Sequence, residues 1–277
     1  MSLKLLSYNI QHGGAGRETR LASVIRECEP DLVVLQEATR PAAVERIAKE
    51  TGLEFWASRE RESVGFVGRV RVERHAWHPL IRPGRGFMEI VLAEGRGRVY
   101  GVHLSAVHSN WTERRRRREL DLMLKAVAND KDDFHVFVGD FNTLAPGEML
   151  DVRKLPPRLR ALIWLSGGRV RYATIQTMLD ASKLPPRRRA LIWLSGGRVR
   201  YATIQTMLDA GYVDGYRALN IADAGHTFPV WDPHVRLDFA FLPERFAERL
   251  EACRVITEGP EVRAASDHFP LLAELTI

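Results

Sequence analysis

The sequence of 277 residues has few of the features that mark several large protein classes. Two cysteines, Cys28 and Cys253, are too few for a disulfide framework or a structural zinc site. No run of eighteen apolar residues is present, which argues against a transmembrane helix. Residues 1–10 are typical of a strand rather than of a secretion signal. We therefore expect a globular protein that folds in a reducing cytoplasm.

The composition also lacks the bias of disordered, collagen-like or coiled-coil chains. Apolar residues make up 45% of the sequence and charged residues 27%, the balance of an ordinary globular protein. The formal net charge is +6, but residues 154–211 contain eleven Lys/Arg and two Asp/Glu, leaving a net charge of −3 for the rest. The positive charge belongs to one segment and gives little support to a polyanion partner for the whole fold.

The basic segment is a tandem duplication of residues 154–182 by residues 183–211. The two copies differ only at Leu159/Arg188 and at Ser182/Gly211. A solenoid needs about three stacked units, so the pair indicates a recent or engineered duplication instead. Gly211 suits a left-handed helix C-cap better than Ser182 does, which favours 183–211 as the copy in its ancestral context.

Each copy of the duplication predicts two short helices, the second of them over Tyr201–Asp209 in the second copy. An apolar run, 191–194, lies next to the arginines 187–189. This combination suits a membrane surface or a partner groove. The favoured interpretation is that the run packs on the core and that the arginines are solvated.

The rest of the chain alternates strands and helices without a Pro/Ser-rich linker, which predicts one domain over 1–277 that carries the insert. Helical spacing of apolar residues indicates three helices, over 21–28, from Thr39 or Pro41 to residue 48, and from Thr112 to residue 127. Short, almost wholly apolar runs indicate strands whose sheets are covered on both faces. These runs lie at 32–35, 99–104, 134–138, 237–242 and 271–277.

Polar residues recur at the ends of the predicted strands. A carboxylate there is costly unless it is paired or binds a cation, and sheets hold ligands beyond their strand ends. Each residue alone has an ordinary explanation, since Asp-x-Asn is usually a turn and a histidine in a strand is usually structural. Together they favour a site for a hard cation such as Mg²⁺. The set is Asn9, Glu37, His103, Asp140, Asn142, Asp238, Asp267 and His268.

These motifs resemble the endonuclease/exonuclease/phosphatase superfamily, which includes deoxyribonucleases, abasic-site endonucleases, inositol-polyphosphate phosphatases and neutral sphingomyelinases. The resemblance spans residues 8–270 and is most specific at 139–142 and 266–270. It implies an α/β (α+β) fold, a four-layer αββα sandwich of two packed mixed or antiparallel sheets flanked by helices. The matching stretches are Tyr-Asn-Ile (8–10), Leu-Gln-Glu (35–37), Val-His-Leu (102–104), Gly-Asp-Phe-Asn (139–142), Arg-Leu-Asp-Phe (236–239) and Ser-Asp-His-Phe-Pro (266–270).

The resemblance also implies a role for each residue. Glu37, with Asn9 and Asp267, would bind Mg²⁺ or Mn²⁺, as one ion or two. His268 would act as general base on water, held in place by Asp267. Asp140 would orient the nucleophile or protonate the leaving oxygen. Asn142 and His103 would hydrogen-bond the phosphoryl oxygens, and Asp238 would support the metal or a histidine.

The substrate stays open between three hypotheses. One is nucleic acid, which the charge of −3 and the poorly matching stretch Val64–Arg71 weaken. The second is a lipid headgroup or small phosphoester at a membrane surface, contacted through 154–211. The third, and the least favoured, is a binding module without turnover. No obligate protein partner is indicated.

A run of five arginines, Arg114–Arg118, follows the His103 motif between Glu113 and Glu119. It could contact phosphates of DNA or of a lipid surface. An exposed, solvated helical face is the favoured interpretation.

Overall fold

The computed structural model describes residues 2–82, 85–106, 110–128, 132–148 and 202–277, and these form two six-stranded sheets. The first sheet contains β1 (Ser2–Asn9), β2 (Leu32–Gln36), β3 (Phe55–Ala57), β4 (Val64–Gly68), β11 (Leu250–Val255) and β12 (Leu271–Thr276), in the order β11-β12-β1-β2-β4-β3. The second contains β5 (Val72–Arg82), β6 (Arg85–Leu92), β7 (Arg98–His103), β8 (His135–Asp140), β9 (Tyr212–Asp214) and β10 (Asp238–Pro243), in the order β5-β6-β7-β8-β10-β9.

Helices cover the outer face of each sheet. On the first sheet lie α1 (Glu18–Cys28), α2 (Pro41–Thr51) and α6 (Val262–Ala265), and on the second lie α3 (Asn110–Ala126) and α4 (Ala202–Asp209). A short helix, α5 (Gly215–Leu219), packs on β9, β10 and β11. Three apolar clusters, one between the sheets and one under each helical layer, make this the four-layer sandwich that the resemblance implied.

The nearly continuous apolar runs of the central strands are explained by burial on both faces. Along β2, Leu32 and Val34 face the cluster between the sheets, whereas Val33 and Leu35 face the cluster under α1 and α2. Successive side chains of a strand point to opposite faces, so a strand between two packed layers needs an apolar residue at every position. Cys28 and Cys253 are both free and buried within these clusters.

The three helices predicted outside the duplication are confirmed, with ends that differ from the predicted ones by up to three residues. Helix α2 begins at Pro41 as expected, whereas α3 begins at Asn110, two residues before the predicted start at Thr112. Tertiary contacts as well as caps set the ends of helices, so a cap residue alone locates a start only to within a turn. Within the described ranges, no helix has the length and apolar content needed to cross a bilayer.

The described part of the duplication is its last ten residues. Helix α4 covers most of the predicted second helix of the second copy, and Gly211 follows it with a positive φ of 83°. The backbone N–H of Gly211 donates to Leu208 O at 3.0 Å, which confirms the predicted left-handed cap. The first copy, 154–182, and the apolar run 191–194 lie outside the described residues.

Candidate active site

The predicted site residues meet at one edge of the sandwich. Strands β1 and β2 run parallel and end there, as do β7 and β8, while β10 and β12 run antiparallel and begin there. The register aligns His103 with Asp140 and Asp140 with Asp238 on three neighbouring strands. Hydrogen bonds from Asn9 to Asp140 and between His268 and Asp238 help to connect the two sheets at this edge.

Asp140 lies at the centre of the cluster and is almost completely buried. Its Oδ2 accepts a hydrogen bond from Asn9 Nδ2 at 3.0 Å, and the Nε2 atoms of His103 and His268 lie 3.8 and 3.9 Å from the same oxygen. Burial raises the pKa of Asp140 to about 7, although the charge of His268 opposes the rise. A carboxyl group that titrates near neutrality can give or take a proton at physiological pH.

Asn142 forms a turn whose backbone is bonded to Asp140. Its backbone N–H donates to Asp140 Oδ1 at 2.8 Å, which is the local Asx-type bond that its sequence pattern predicts. Its side chain donates to Leu104 O at 3.2 Å. Asn142 and Glu37 have positive φ values of 52° and 58°, a conformation that costs free energy in a non-glycine residue. Both residues of the candidate site are thus held in strained backbone by their surroundings.

The hydrogen-bond partner of His268 is Asp238, not Asp267. His268 Nδ1 lies 2.9 Å from Asp238 Oδ2, whereas Asp267 Oδ2 accepts from Gln11 Nε2 at 2.9 Å. The prediction that Asp267 holds His268 is therefore wrong. Residues 267 and 268 form a bend, so the partners of their side chains depend on the packing of the two sheets and not on their adjacency in the sequence. The predicted alternative for Asp238, support of a histidine, is the one observed.

The charges around His268 favour its protonated form. Burial lowers the pKa of His268, but the charge and hydrogen bond of Asp238, with smaller effects from Asp140 and Asp267, outweigh burial and raise the pKa to about 10. Glu37 experiences the opposite balance. Burial raises its pKa, but the backbone N–H of His12 and the nearby histidines outweigh this and hold the pKa below its usual value.

The cluster contains oxygen atoms that could bind a cation. Asp140, Asp238 and His268 bring one ligand atom each to within 4.8 Å of one another. Asp238 Oδ1 is buried and, among the described residues, has no hydrogen-bond partner. A buried carboxylate oxygen without a partner is costly unless a ligand satisfies it. The carboxylate oxygens of this group therefore fit a hard divalent cation.

The predicted metal ligands, Glu37, Asn9 and Asp267, are not the residues of this group. Glu37 reaches the same edge from β2, with its Oε2 accepting from the backbone N–H of His12. The side chain of Asn9 binds Asp140 and, through Oδ1, the backbone N–H of Gln11 at 3.0 Å. The set of Glu37, Asn9 and Asp267 stays a prediction, and the structure adds Asp140 and Asp238 as candidate ligands.

Sequence reasoning missed three residues that touch the site. Gln11 binds Asp267, Ser63 binds His103 Nδ1, and the ring of Phe228 lies 4.8 Å from the ring of His268. The sequence offered a signal only for Gln11, which follows the motif of residues 8–10. Ser63 and Phe228 lie on loops whose path depends on the folded sheets.

A comparison with protein-family models shows where this arrangement of residues belongs. The model described as the endonuclease/exonuclease/phosphatase family matches residues 6–268. The chain belongs to this family. Members of the family are hydrolases of phosphate esters and depend on divalent metal ions. The predicted family, fold and enzyme class are thereby confirmed.

Solved structures support the fold of this family member. A 3′ phosphatase from Neisseria bound to a product DNA hairpin is 18% identical, with a TM-score of 0.64, and the alignment covers 99% of this chain and 100% of that one. An AP endonuclease from Archaeoglobus fulgidus is 18% identical over 99% and 100% of the two chains, with a TM-score of 0.63. An endonuclease/exonuclease/phosphatase from Beutenbergia cavernae is 19% identical over 100% and 72%, with a TM-score of 0.67. A search of curated proteins found no match.

Proposed function

We propose that this family member is a Mg²⁺-dependent phosphodiesterase in which His268 accepts a proton from the attacking water. The observation that carries the proposal is the buried chain of contacts from Asp238 through His268 to Asp140 at the edge where both sheets meet. Asp238 fixes the imidazole through Nδ1 and leaves Nε2 directed toward Asp140. This arrangement, a base oriented by a carboxylate, is the one that general-base hydrolysis requires.

The other side chains would act on the phosphate. Asn142 and His103, at the ends of β8 and β7, would donate hydrogen bonds to the phosphoryl oxygens as negative charge develops. Ser63 would fix the orientation of the His103 ring through Nδ1. Asp140, whose pKa of about 7 lies near physiological pH, would deliver a proton to the leaving oxygen.

Glu37 would hold the metal, with Asp238 Oδ1, unpaired among the described residues, as a further ligand. When bound there, Mg²⁺ or Mn²⁺ would neutralise phosphate charge and polarise the phosphoryl group. Its positive charge would also lower the pKa of His268, because the carboxylates that raise that pKa would be partly neutralised. His268 would then be free to accept a proton near neutral pH.

A nucleic-acid strand is the substrate that we propose first. The Neisseria structure is of a 3′ phosphatase bound to a product DNA hairpin, and the Archaeoglobus structure is of an AP endonuclease. The alternative is a lipid headgroup or small phosphoester at a membrane, reached through the insert at 154–211, most of which lies outside the described residues. A binding module without turnover is disfavoured, since His103, Asp140, Asp238 and His268 lie in contact with one another.

The test is hydrolysis of supercoiled plasmid and of bis-(p-nitrophenyl) phosphate, with Mg²⁺, with Mn²⁺ and with excess EDTA. We expect cleavage of both substrates with metal, none with EDTA, and a loss of about a thousandfold or more in His268→Ala, as for the loss of a general base. His75→Ala is the matched control, because His75 lies exposed on β5. Full activity in EDTA, or equal rates in the two variants, would contradict the proposal. Hydrolysis of the small ester without plasmid nicking would move the substrate to the lipid or small-molecule class.

A further inference from the structure

Helix α3 has charged residues on both of its faces, buried on the inward face and exposed on the outward face. The inward face holds Glu113, Arg116 and Glu119, all buried. Arg116 donates to Glu113 Oε2 through Nε and Nη2, at 3.1 and 2.8 Å, and to Ser105 O at 2.9 Å. The prediction that the whole arginine run is a solvated face is therefore wrong for Arg116, because Glu113 provides a buried counter-charge.

The outward face carries three exposed arginines, Arg114, Arg117 and Arg118. Their spacing of three and four residues places them on one side of the helix. None of them forms an ion pair with any residue in the described ranges, including Asp121 on the next turn. The helix's other acidic residues, Glu113 and Glu119, are buried and accept hydrogen bonds from Arg116 and Ser105, respectively. Three guanidinium groups therefore face solvent without an ion-pair partner in the part of the chain that the structure describes, and guanidinium binds phosphate in a bidentate manner.

This basic face is anchored next to the candidate active site. Glu119 accepts hydrogen bonds from the backbone and side chain of Ser105, two residues after His103. Glu113 accepts from Thr143 Oγ1 at 3.1 Å, one residue after Asn142. The turns that present the arginines are thus bonded to the same two loops that carry the phosphate-binding candidates His103 and Asn142. A polyanion that runs from the site along α3 would pass these arginines.

We propose that Arg114, Arg117 and Arg118 form a subsite for the backbone phosphates of a nucleic-acid strand that flank the phosphate being cleaved. The inference rests on the proposed function and names its substrate class. Three cations on one helical face, within two turns, suit the regularly repeated charges of such a strand. An anionic membrane fits less well, since among the described residues the exposed face has one large apolar side chain, Leu122, and interfacial helices insert an apolar face.

The test compares Arg117→Gln/Arg118→Gln with Arg69→Gln/Arg71→Gln. The control pair removes the same charge from exposed residues after β4, near Asp31 and the opposite edge of the sheet. For a 20-nucleotide oligonucleotide, we expect the first pair to raise KM at least fivefold, with kcat little changed. We also expect the slope of log binding constant against log salt to fall by about 1.4–1.8, as for two lost phosphate contacts. Hydrolysis of bis-(p-nitrophenyl) phosphate should be the same in all forms.

Binding is measured separately from turnover, by fluorescence anisotropy of a labelled oligonucleotide with the His268→Ala protein and its two double-variant derivatives. If only the Arg117→Gln/Arg118→Gln derivative binds the oligonucleotide more weakly, the subsite is supported even if the protein does not cleave nucleic acid. If the protein cleaves nucleic acid but this double variant has unaltered binding and unaltered KM, the subsite is overturned. Equal losses in both pairs would also overturn it, since net charge alone would then explain binding. Binding of phosphatidylserine vesicles that depends on Arg117 and Arg118, without oligonucleotide binding, would replace the strand by a lipid surface.

Discussion

The second sheet supports two buried polar clusters that differ in how completely their groups are paired. In the network under α3, Glu113 Oε1 accepts from the N–H and hydroxyl of Thr203, and its Oε2 accepts from Arg116 and Thr143. At the catalytic edge, by contrast, Asp238 Oδ1 has no partner among the described residues. Paired groups hold elements together, whereas an unpaired buried oxygen stays available for a ligand. The network under α3 is suited to stabilising the fold, and the cluster at the catalytic edge is suited to binding a ligand and to catalysis.

Glu113 links the network under α3 to the loops next to the catalytic edge. It connects α3 to the loop after Asn142 and, through Thr203, to α4 of the duplicated segment. The network therefore fixes the loops that carry His103 and Asn142 without entering the site. We expect substitutions in the two clusters to affect different properties, activity at the edge and stability under α3.

The largest effect should come from Asp140→Asn at the catalytic edge. The amide keeps the shape of the carboxyl group but cannot deliver a proton to the leaving oxygen. We expect kcat for bis-(p-nitrophenyl) phosphate to fall by about a thousandfold or more, equivalent to about 4 kcal/mol in the barrier, with a native-like melt. Asp132→Asn, at a fully exposed position, serves as control. A variant that retains more than a tenth of the activity would remove Asp140 from the mechanism.

The next largest effect should come from Glu113→Gln in the network under α3, as a loss of stability. This change leaves Arg116 buried without its counter-charge, which costs about 3–5 kcal/mol of unfolding free energy. Urea denaturation measures this loss, and Glu45→Gln on the exposed side of α2 should change it by less than about 0.5 kcal/mol. Equal stabilities of the two variants would show that the buried ion pair contributes nothing.

The roles of the two aspartates next to His268 can be separated by pH. Asp238 is the main cause of the raised pKa of His268, and Asp267 a minor one. A base acts only when deprotonated, so activity should fall as the pH drops below its pKa. Asp238→Asn lowers that pKa, so the acid limb of the profile should move to lower pH. The maximal rate should drop by about a hundredfold or more, because the tautomer is no longer fixed.

Asp267→Asn should give a smaller shift in the same direction and retain most of the maximal rate. The pH dependence of kcat for both variants, in saturating Mg²⁺, provides the measurement. A larger loss in Asp267→Asn than in Asp238→Asn would restore Asp267 as the residue that orients His268.

The smallest effect should follow deletion of residues 154–182. The remaining copy still supplies Thr203 for Glu113 and Gly211 for the end of α4. We expect a cooperative melt with Tm changed by less than roughly 4 °C, corresponding to about 1 kcal/mol. Aggregation, or the loss of a cooperative transition, would show that both copies are structural.

The sequence predicted those features that depend on local pattern. Continuous apolar runs located the buried strands, and polar residues at their ends located Asn9, Glu37, His103, Asp140 and His268 at one edge. Each of these inferences needs only the period of a strand and the direction of its neighbours. Gly211 was predicted for the same reason, since a left-handed cap is a local requirement.

Side-chain partners could not be predicted in this way. His268 pairs with Asp238, which is 30 residues away, because the register of β8 against β10 brings Asp238 beside Asp140. Arg116 is buried because Glu113, Thr143 and Thr203 converge from three separate segments. Both outcomes depend on which elements become neighbours in the folded chain, and adjacency in the sequence pointed to Asp267 and to a solvated arginine run instead.

The most direct test of the difference between the clusters measures two properties in the same preparations. Unfolding free energy and Mg²⁺-dependent hydrolysis of bis-(p-nitrophenyl) phosphate are determined for the unmodified protein, His268→Ala and Glu113→Gln. We expect His268→Ala to lose about a thousandfold in rate with little change in unfolding free energy. Glu113→Gln should lose about 3–5 kcal/mol of stability with kcat nearly unchanged below its melting transition. Rate retained in His268→Ala, or lost in folded Glu113→Gln, would contradict the separation of a catalytic from a structural cluster.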